Sequence, residues 1–285
     1  MLQRCPDRMA GKRDRVVPHT RLEGVEFASH NPHRFAQFYL EALDCEPVER
    51  DPDSLTIRCA TTLLRFRRAR GRAIPRDSRS HDVWFRHCAF VVSDVEAACA
   101  RVVAAGATIV SNGTQRLPQW NLDAAGIVAV YARDPEFRPF ELISFPPGMK
   151  PQWDIRTPQL VRGIDHTALV VADLDRGIAY YRDELGLELS ATSRNFGEEQ
   201  ARLAGLPRAD VSIATFESDG PLDLELLMYR EPSDGRARAI SPDDVAYATT
   251  FGTGTVVSGE DPDGHGVRLS ASRTTRSVAE SERKP

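Results

Sequence analysis

Residues 161–181, VRGIDHTALVVADLDRGIAYY, and residues 84–105, WFRHCAFVVSDVEAACARVVAA, carry one pattern twice. Each has a His, an apolar strand, an Asp and then a helix rich in small residues. Aligned without a gap, His87 falls on His166, Asp94 on Asp173, and Cys88–Val92 on Thr167–Val171. An internal repeat fixes an architecture before any single residue does. A third copy, LEGVEFASHNPHRFAQFYLEALDCEPV (22–48), aligns through Phe38 and Tyr39 on Tyr180 and Tyr181, which places Asn31 on Asp173 and Gly24 where His166 sits. In each copy an alternating strand precedes a helix opened by a capping residue, Asn31, Asp94 or Asp173. Short strands follow. The segments DPEFRPFELISF (134–145) and DPDGHGVRLSAS (261–272) share a D-P turn before a strand, so an abridged fourth copy closes the chain.

The unit is therefore β-α-β-β-β. Its expected boundaries are 21–75, 82–148 and 160–231, with a truncated fourth unit at 232–272 and flexible tails at 1–20 and 273–285. A chain of 285 residues, 41% hydrophobic and 27% charged, has the composition of a soluble globular protein. A net charge of −4 gives no basic face for nucleic acid. No apolar run nears the ~20 residues of a membrane span, and the first twenty residues lack the apolar core of a secretory signal. The five cysteines, Cys5, Cys45, Cys59, Cys88 and Cys99, contain no C-x-x-C pair and read as reduced thiols of a cytoplasmic protein.

Repeated βαβββ units with a His in the first strand and a Glu in the last resemble the vicinal oxygen chelate superfamily, which includes glyoxalase I, methylmalonyl-CoA epimerase, extradiol dioxygenases and bleomycin-type resistance proteins. The resemblance runs over roughly residues 20 to 272. Within it, LPQWNLDAAGIVAVYARDPEFRPFELISFPPG (117–148) and RNFGEEQARLAGLPRADVSIATF (194–216) resemble a four-unit branch labelled "dioxygenase-like". The implied fold is α+β, with pairs of units forming two open, cup-shaped β-barrels flanked by helices. One scaffold of this kind hosts many chemistries, so activity has to come from the site.

In the family each unit of a pair contributes ligands from its first and last strands. Unit two offers His87 and Glu141, and unit three offers His166 and Glu225. Unit one offers Gly24 and a last strand without a carboxylate; unit four has Arg268 where the Glu belongs. If units two and three pair, one cup gathers His87, Glu141, His166 and Glu225. Two imidazoles and two carboxylates suit a divalent ion such as Fe, Ni, Co, Zn or Mn, with open positions for adjacent substrate oxygens. A His in an apolar strand is more often a hydrogen-bonded core residue. What favours ligation is that both offsets recur in two neighbouring units and fail together in the other two.

The resemblance implies a small-molecule substrate and three readings of function. One is proton-transfer isomerase or lyase chemistry, with Glu141 or Glu225 as the base. Another is a non-haem Fe(II) dioxygenase. The third is a metal-free drug-binding protein whose aromatic residues, Trp84, Trp120, Trp153 and Tyr180, sandwich a flat ligand. Trp120, Tyr180 and Arg194 are the candidate substrate contacts. SHNPH (29–33) reads as a helix start, His265 as a turn residue, the basic run 65–81 as a solvated linker, and RNFGEEQ (194–200) as a capped surface helix. The truncated fourth unit leaves a sheet edge that a second copy of the chain could cover, making a homodimer one expected assembly.

Overall fold

The computed structural model describes residues 20–154, 158–237 and 239–271. The tails expected at 1–20 and 273–285 lie outside these apart from Thr20. β1 (Arg21–Ser29) leads into α1 (Pro32–Ala42), whose first turn is closed by the Asn31 side chain accepting from the Arg34 amide; β2 (Glu46–Asp51), β3 (Ser54–Cys59) and β4 (Thr62–Arg68) follow. β5 (Arg86–Val92) leads into α2 (Val95–Ala104), capped by Asp94 on the Ala97 amide, and then β6 (Thr108–Ile109), β7 (Gln115–Arg116), β8 (Val128–Arg133) and β9 (Pro139–Ser144). β10 (Val161–Val170) leads into α3 (Leu174–Ile178), capped by Asp173 on the Arg176 amide, which widens into a π-helical turn over Ala179–Glu184. After β11 (Glu188–Phe196) come α4 (Glu198–Ala204), β12 (Asp210–Glu217) and β13 (Asp223–Glu231). Three strands close the described chain: β14 (Ala248–Thr253), β15 (Val257–Glu260) and β16 (Gly266–Ser270).

These strands form two open sheets, neither closed into a barrel. The seven-stranded sheet has the order β15-β16-β14-β1-β4-β3-β2, and the nine-stranded sheet runs β11-β12-β13-β10-β5-β9-β8-β6, with β7 beside β8. First and last segments thus share one sheet, and the two middle segments share the other. The pairing scheme is the same in both: β1 lies antiparallel to β14 and parallel to β4, as β10 lies antiparallel to β5 and parallel to β13. One apolar cluster joins Phe66 of the first sheet through Tyr39 of α1 and Val102 of α2 to Phe90 and Phe216 of the second.

The repeat extends to buried polar groups. The Tyr39 hydroxyl donates to Asp134 at 3.0 Å, and the aligned Tyr181 donates to Asp261 at 2.9 Å. Each Asp opens a D-P turn and accepts the amide four residues on, Arg138 or His265. Arg138 then donates to the carbonyls of Ala28 and Val245, while the His265 ring bonds the Val170 carbonyl, whose place in β10 matches Ala28 in β1. His265 stands at the end of this turn, as expected, but is only 5% exposed and ties β10 to it. Arg86, 4% exposed, clamps the sheets in the same manner through the Ala248 carbonyl, Thr250 and Thr167.

Two further expectations are corrected. Cys45 and Cys59 are joined as a disulfide, with Cα atoms 4.4 Å apart. The β2–β3 hairpin pairs Glu46 with Arg58, which brings the flanking cysteines together, a proximity that spacing alone does not reveal. The basic run at 65–81 is not all linker. Its first residues form β4, where Arg65 and Arg67 approach the buried Glu26, and Arg72 pairs with Asp244. Among the described residues no helix is long and apolar enough to cross a membrane.

Arg138 is 3% exposed and offsets Asp134 and Glu136, 3.9 and 3.5 Å away, while holding the Ala28 carbonyl of β1 and the Val245 carbonyl in the turn before β14. Removing one partner of such a cluster strands the others in a dry interior. Arg138→Met should cost about 3 kcal/mol or more, read as a fall in the denaturant midpoint with an unchanged slope.

Candidate metal centre and substrate cavity

The centre lies where β5 and β10 meet. Their antiparallel register sets His87 opposite Ala168, and Glu225 lies beside Ala168 from the parallel neighbour β13. Glu141 enters from β9, parallel to β5, beside Ala89. Ala89 and Ala168 thus stand between donor-bearing strands and leave the middle of the cup unfilled. On β10 the register shifts between Ile164 and Thr167, a β-bulge that brings the consecutive residues Asp165 and His166 both to the site.

The donors converge. His87 Nε2 lies 3.4 Å from Glu141 Oε2, and His166 Nε2 lies 3.7 Å from Glu141 Oε2 and 3.5 Å from Glu225 Oε2. His87, Glu141 and His166 each offer one ligand atom, all within 4.8 Å of one another, and all three residues are buried. Two ligand atoms about 2.1 Å from a shared ion at right angles lie about 3 Å apart, so this set fits a small divalent ion. Glu225 is the outer member. Its Oε1 accepts from Thr215 at 3.2 Å, and its side chain is 20% exposed against 7% for Glu141.

Asp165 orients His166. Its carboxylate meets His166 Nδ1 at 3.0 Å and accepts from Lys150 and the Trp153 indole, each at 2.6 Å. That bond fixes Nδ1 and leaves Nε2 facing the carboxylates, the usual support of a ligating imidazole. Gly163 makes this possible. At φ 150° its missing Cβ would meet the Trp153 ring at 3.0 Å, so a side chain here would push the indole away from β10. Burial alone would disfavour the His166 imidazolium, but Glu225, Asp165 and Glu141 outweigh it and raise its pKa to about 9. Burial would likewise raise the Asp165 carboxyl, yet His166 and Lys150 hold it well below the usual carboxylate range.

The counterpart in the first sheet is filled from within. By strand pairing, Thr249 stands where His87 does, Arg65 where Glu225 does and Arg268 where Glu141 does, with Glu26 in the place of Ala168. Glu26 is 6% exposed and is approached by Arg268 at 3.2 Å, Arg67 at 3.3 Å and Arg65 at 3.8 Å. A carboxylate with arginines around it replaces a gap with carboxylates around it. No cation would be held there.

Above the His–Glu cluster opens a cavity of about 310 Å³. Its walls are largely apolar, with Leu117, Ile127, Ile143 and Ile213, and it reaches Asn195 and Gln200 under α4 and Glu217 at the far end of β12. The residues offered by sequence as substrate contacts do not line it. Trp120 is 54% exposed and stacks on Phe196 at 4.5 Å. Tyr180 packs edge-on against Tyr181 beyond the cup, and Arg194 pairs outward with Asp210. Trp84 bonds Ser78 and Trp153 supports Asp165, so neither is free to sandwich a flat ligand. The segment 194–200 does reach the cavity, through Gln200 rather than through Glu198, which pairs with Arg202 on the surface.

A model of the glyoxalase-like domain matches residues 24–143, and one of the glyoxalase/bleomycin resistance protein/dioxygenase superfamily matches residues 163–256. Glyoxalase I from Zea mays has a similar fold, with a TM-score of 0.59 at 17% identity over 89% of this chain and 93% of that one. A provisionally assigned dioxygenase from Bacillus subtilis subsp. subtilis str. 168 aligns with a TM-score of 0.50 at 14% identity, over 86% of this chain and 72% of that one. At such identities the likeness speaks to fold. No curated protein matches the sequence.

Asp165→Asn should leave the far-ultraviolet dichroism unchanged while weakening Co²⁺ binding roughly 10- to 100-fold. Competition with a coloured chelator measures it, and unchanged affinity would remove the orienting role.

Proposed function

Because the chain belongs to the glyoxalase/bleomycin resistance/dioxygenase superfamily, we propose that it is a divalent-metal-dependent enzyme that moves a proton on a small substrate held through two adjacent oxygens. The observation that carries this reading is the convergence of His87, Glu141 and His166 at the floor of a cavity of drug-like size. With only nitrogen and oxygen donors, the set suits Fe, Ni, Co, Zn or Mn. When bound, such an ion supplies Lewis-acid stabilisation of negative charge on the substrate oxygens.

The chain's own groups divide the remaining work. Glu141 lies between the two imidazoles and is buried, so it has little room to leave them and acts as a fixed ligand. Glu225 is more exposed, faces the cavity and is held through one oxygen by Thr215, leaving Oε2 able to accept a proton from a substrate carbon.

One observation favours a second reading, oxygen-dependent cleavage. Among the described residues, two imidazoles and one carboxylate place ligand atoms within 4.8 Å of one another, with Glu225 outside the set, and that trio matches the facial arrangement of non-haem Fe(II) oxygenases. Purified protein should carry about one equivalent of metal, lost in His87→Ala and Glu141→Gln. Glu225→Gln should retain the metal yet slow, by roughly 10²- to 10⁴-fold, deuterium exchange at the carbons of hydroxyacetone, used as a probe with two adjacent oxygens and followed by proton NMR in D₂O. Substrate-dependent oxygen uptake by Fe(II)-loaded protein, with no such exchange, would transfer the assignment to the oxygenase.

A further inference from the structure

Arg86 is 4% exposed, and among the described residues no carboxylate lies within ion-pair distance of it. Its guanidinium donates instead to the Ala248 carbonyl, to Thr250 and to Thr167, all uncharged. An arginine keeps its charge even when buried, so it calls for a negative partner. Asp261 attracts it from farther off, but that carboxylate already accepts from Tyr181 and from the amides of Asp263 and His265. Arg138, whose charge also acts on Arg86, and Arg133 are buried as well, at 3% and 4% exposure. Asp134 and Glu136 lie beside Arg138, and Asp134 also attracts Arg133. Asp82, the other carboxylate that attracts Arg133, is paired with Arg236. Three buried guanidiniums thus share two carboxylates, and one positive charge is left without a close partner.

A second observation is the space beside that charge. Arg86 and Arg138 both line a small cavity of about 10 Å³, walled by Phe27 and Ala248 from the first sheet and by Trp84 and Phe85 ahead of β5. That is room for one water-sized group. Ser78 adds a hydroxyl to the wall. It accepts from the Trp84 indole at 3.2 Å, and its own proton has no acceptor among the described residues. Arg133 donates to the Ser78 carbonyl at 2.7 Å and lies over the Phe85 ring, so the third guanidinium stands behind two wall residues. The polar side chains around the cavity therefore bring donors and positive charge.

We propose that this cavity is a binding site for a monatomic anion, chloride by size and charge, held by Arg86, Arg138 and the Ser78 hydroxyl. Water in the same place would satisfy the donors and leave the charge unmet. A polyatomic oxoanion such as phosphate exceeds the space. A monovalent ion supplies the one negative charge that Asp134 and Glu136 do not. The site shares no wall residue with the His–Glu cavity, so the ion acts on the scaffold. It lowers the electrostatic cost at which Arg86 of β5 holds β14 across the boundary between the sheets. Half-buried Ser78 marks the side nearest solvent.

Chloride itself is the probe. Thermal unfolding of the full chain in potassium chloride is compared with that in potassium methanesulfonate at equal ionic strength, so that screening is the same and only the fit of the anion differs. With chloride at about five times its dissociation constant, the midpoint should rise by roughly 2–4 °C. His87→Ala should keep this rise, because the metal centre takes no part in it. Ser78→Ala should diminish the rise, and Arg86→Met should abolish it. Crystals grown in bromide should show an anomalous peak touching both Arg86 and Arg138, a readout that stands even if Arg86→Met fails to fold. Coincident midpoints in the two salts would overturn the proposal. So would a bromide peak confined to exposed arginines, which marks an adventitious ion only.

Discussion

The antiparallel register of β5 on β10 is the constraint on which the rest depends. It sets His87 across from Ala168 and brings β9 and β13, with Glu141 and Glu225, to either side of one seam. Side chains in a strand alternate faces, so a slip of one residue would turn His87 away from the cup and the apolar set into it. The bulge at Asp165 and His166 is part of the same device. An extra residue on β10 lets His166 and the Asp165 carboxylate that bonds its ring be neighbours in sequence and still both face the site.

Both sheets follow one plan, and their difference comes down to single positions. Ala168 keeps the middle of the second sheet's cup open; Glu26, at the matching position, fills the first sheet's cup with a negative charge. Once that carboxylate is in place, carboxylates at the flanking positions would repel it, and Arg65 and Arg268 stand there instead. A gap favours surrounding anions plus a cation; a fixed anion favours surrounding cations. The two cups are complementary solutions to burying charge on the same backbone. The repeated Tyr–Asp bond, Tyr39 to Asp134 and Tyr181 to Asp261, belongs to the scaffold and is retained in both halves.

Much of this was legible in the sequence because it is periodic. The α+β class, the three capping residues and the His and Glu offsets all follow from a repeat read against strand and helix periods. What escaped was set by registers between distant strands. Cys45 and Cys59 pair because a hairpin closes, not because of their spacing. Asp165 matters because of a bulge that alternation does not predict. Glu26 lies two residues beyond Gly24, the position that matches His166, so the repeat does not single it out. Gln200 belongs to a segment read as a surface helix, and its inward direction is fixed by how α4 seats on the neighbouring unit. Trp120, Tyr180 and Arg194 are aromatic or cationic residues of the kind that often touches ligands, and each is engaged elsewhere.

Trp120 nevertheless bears on the cavity, through its roof. The roof is built by both middle segments, as the floor is. Asn121 donates to Asn195 at 2.6 Å, Trp120 lies on Phe196, and the hydroxyls of Ser80 and Ser111 reach the carbonyls of Ala204 and Leu203 at the end of α4. These contacts tie Ser80 and the 111–121 segment to the end of β11 and to α4 in the other unit. Floor and roof are therefore set by a single relative placement. A change that moved one unit against the other would therefore alter the donor distances and the seat of Gln200 together.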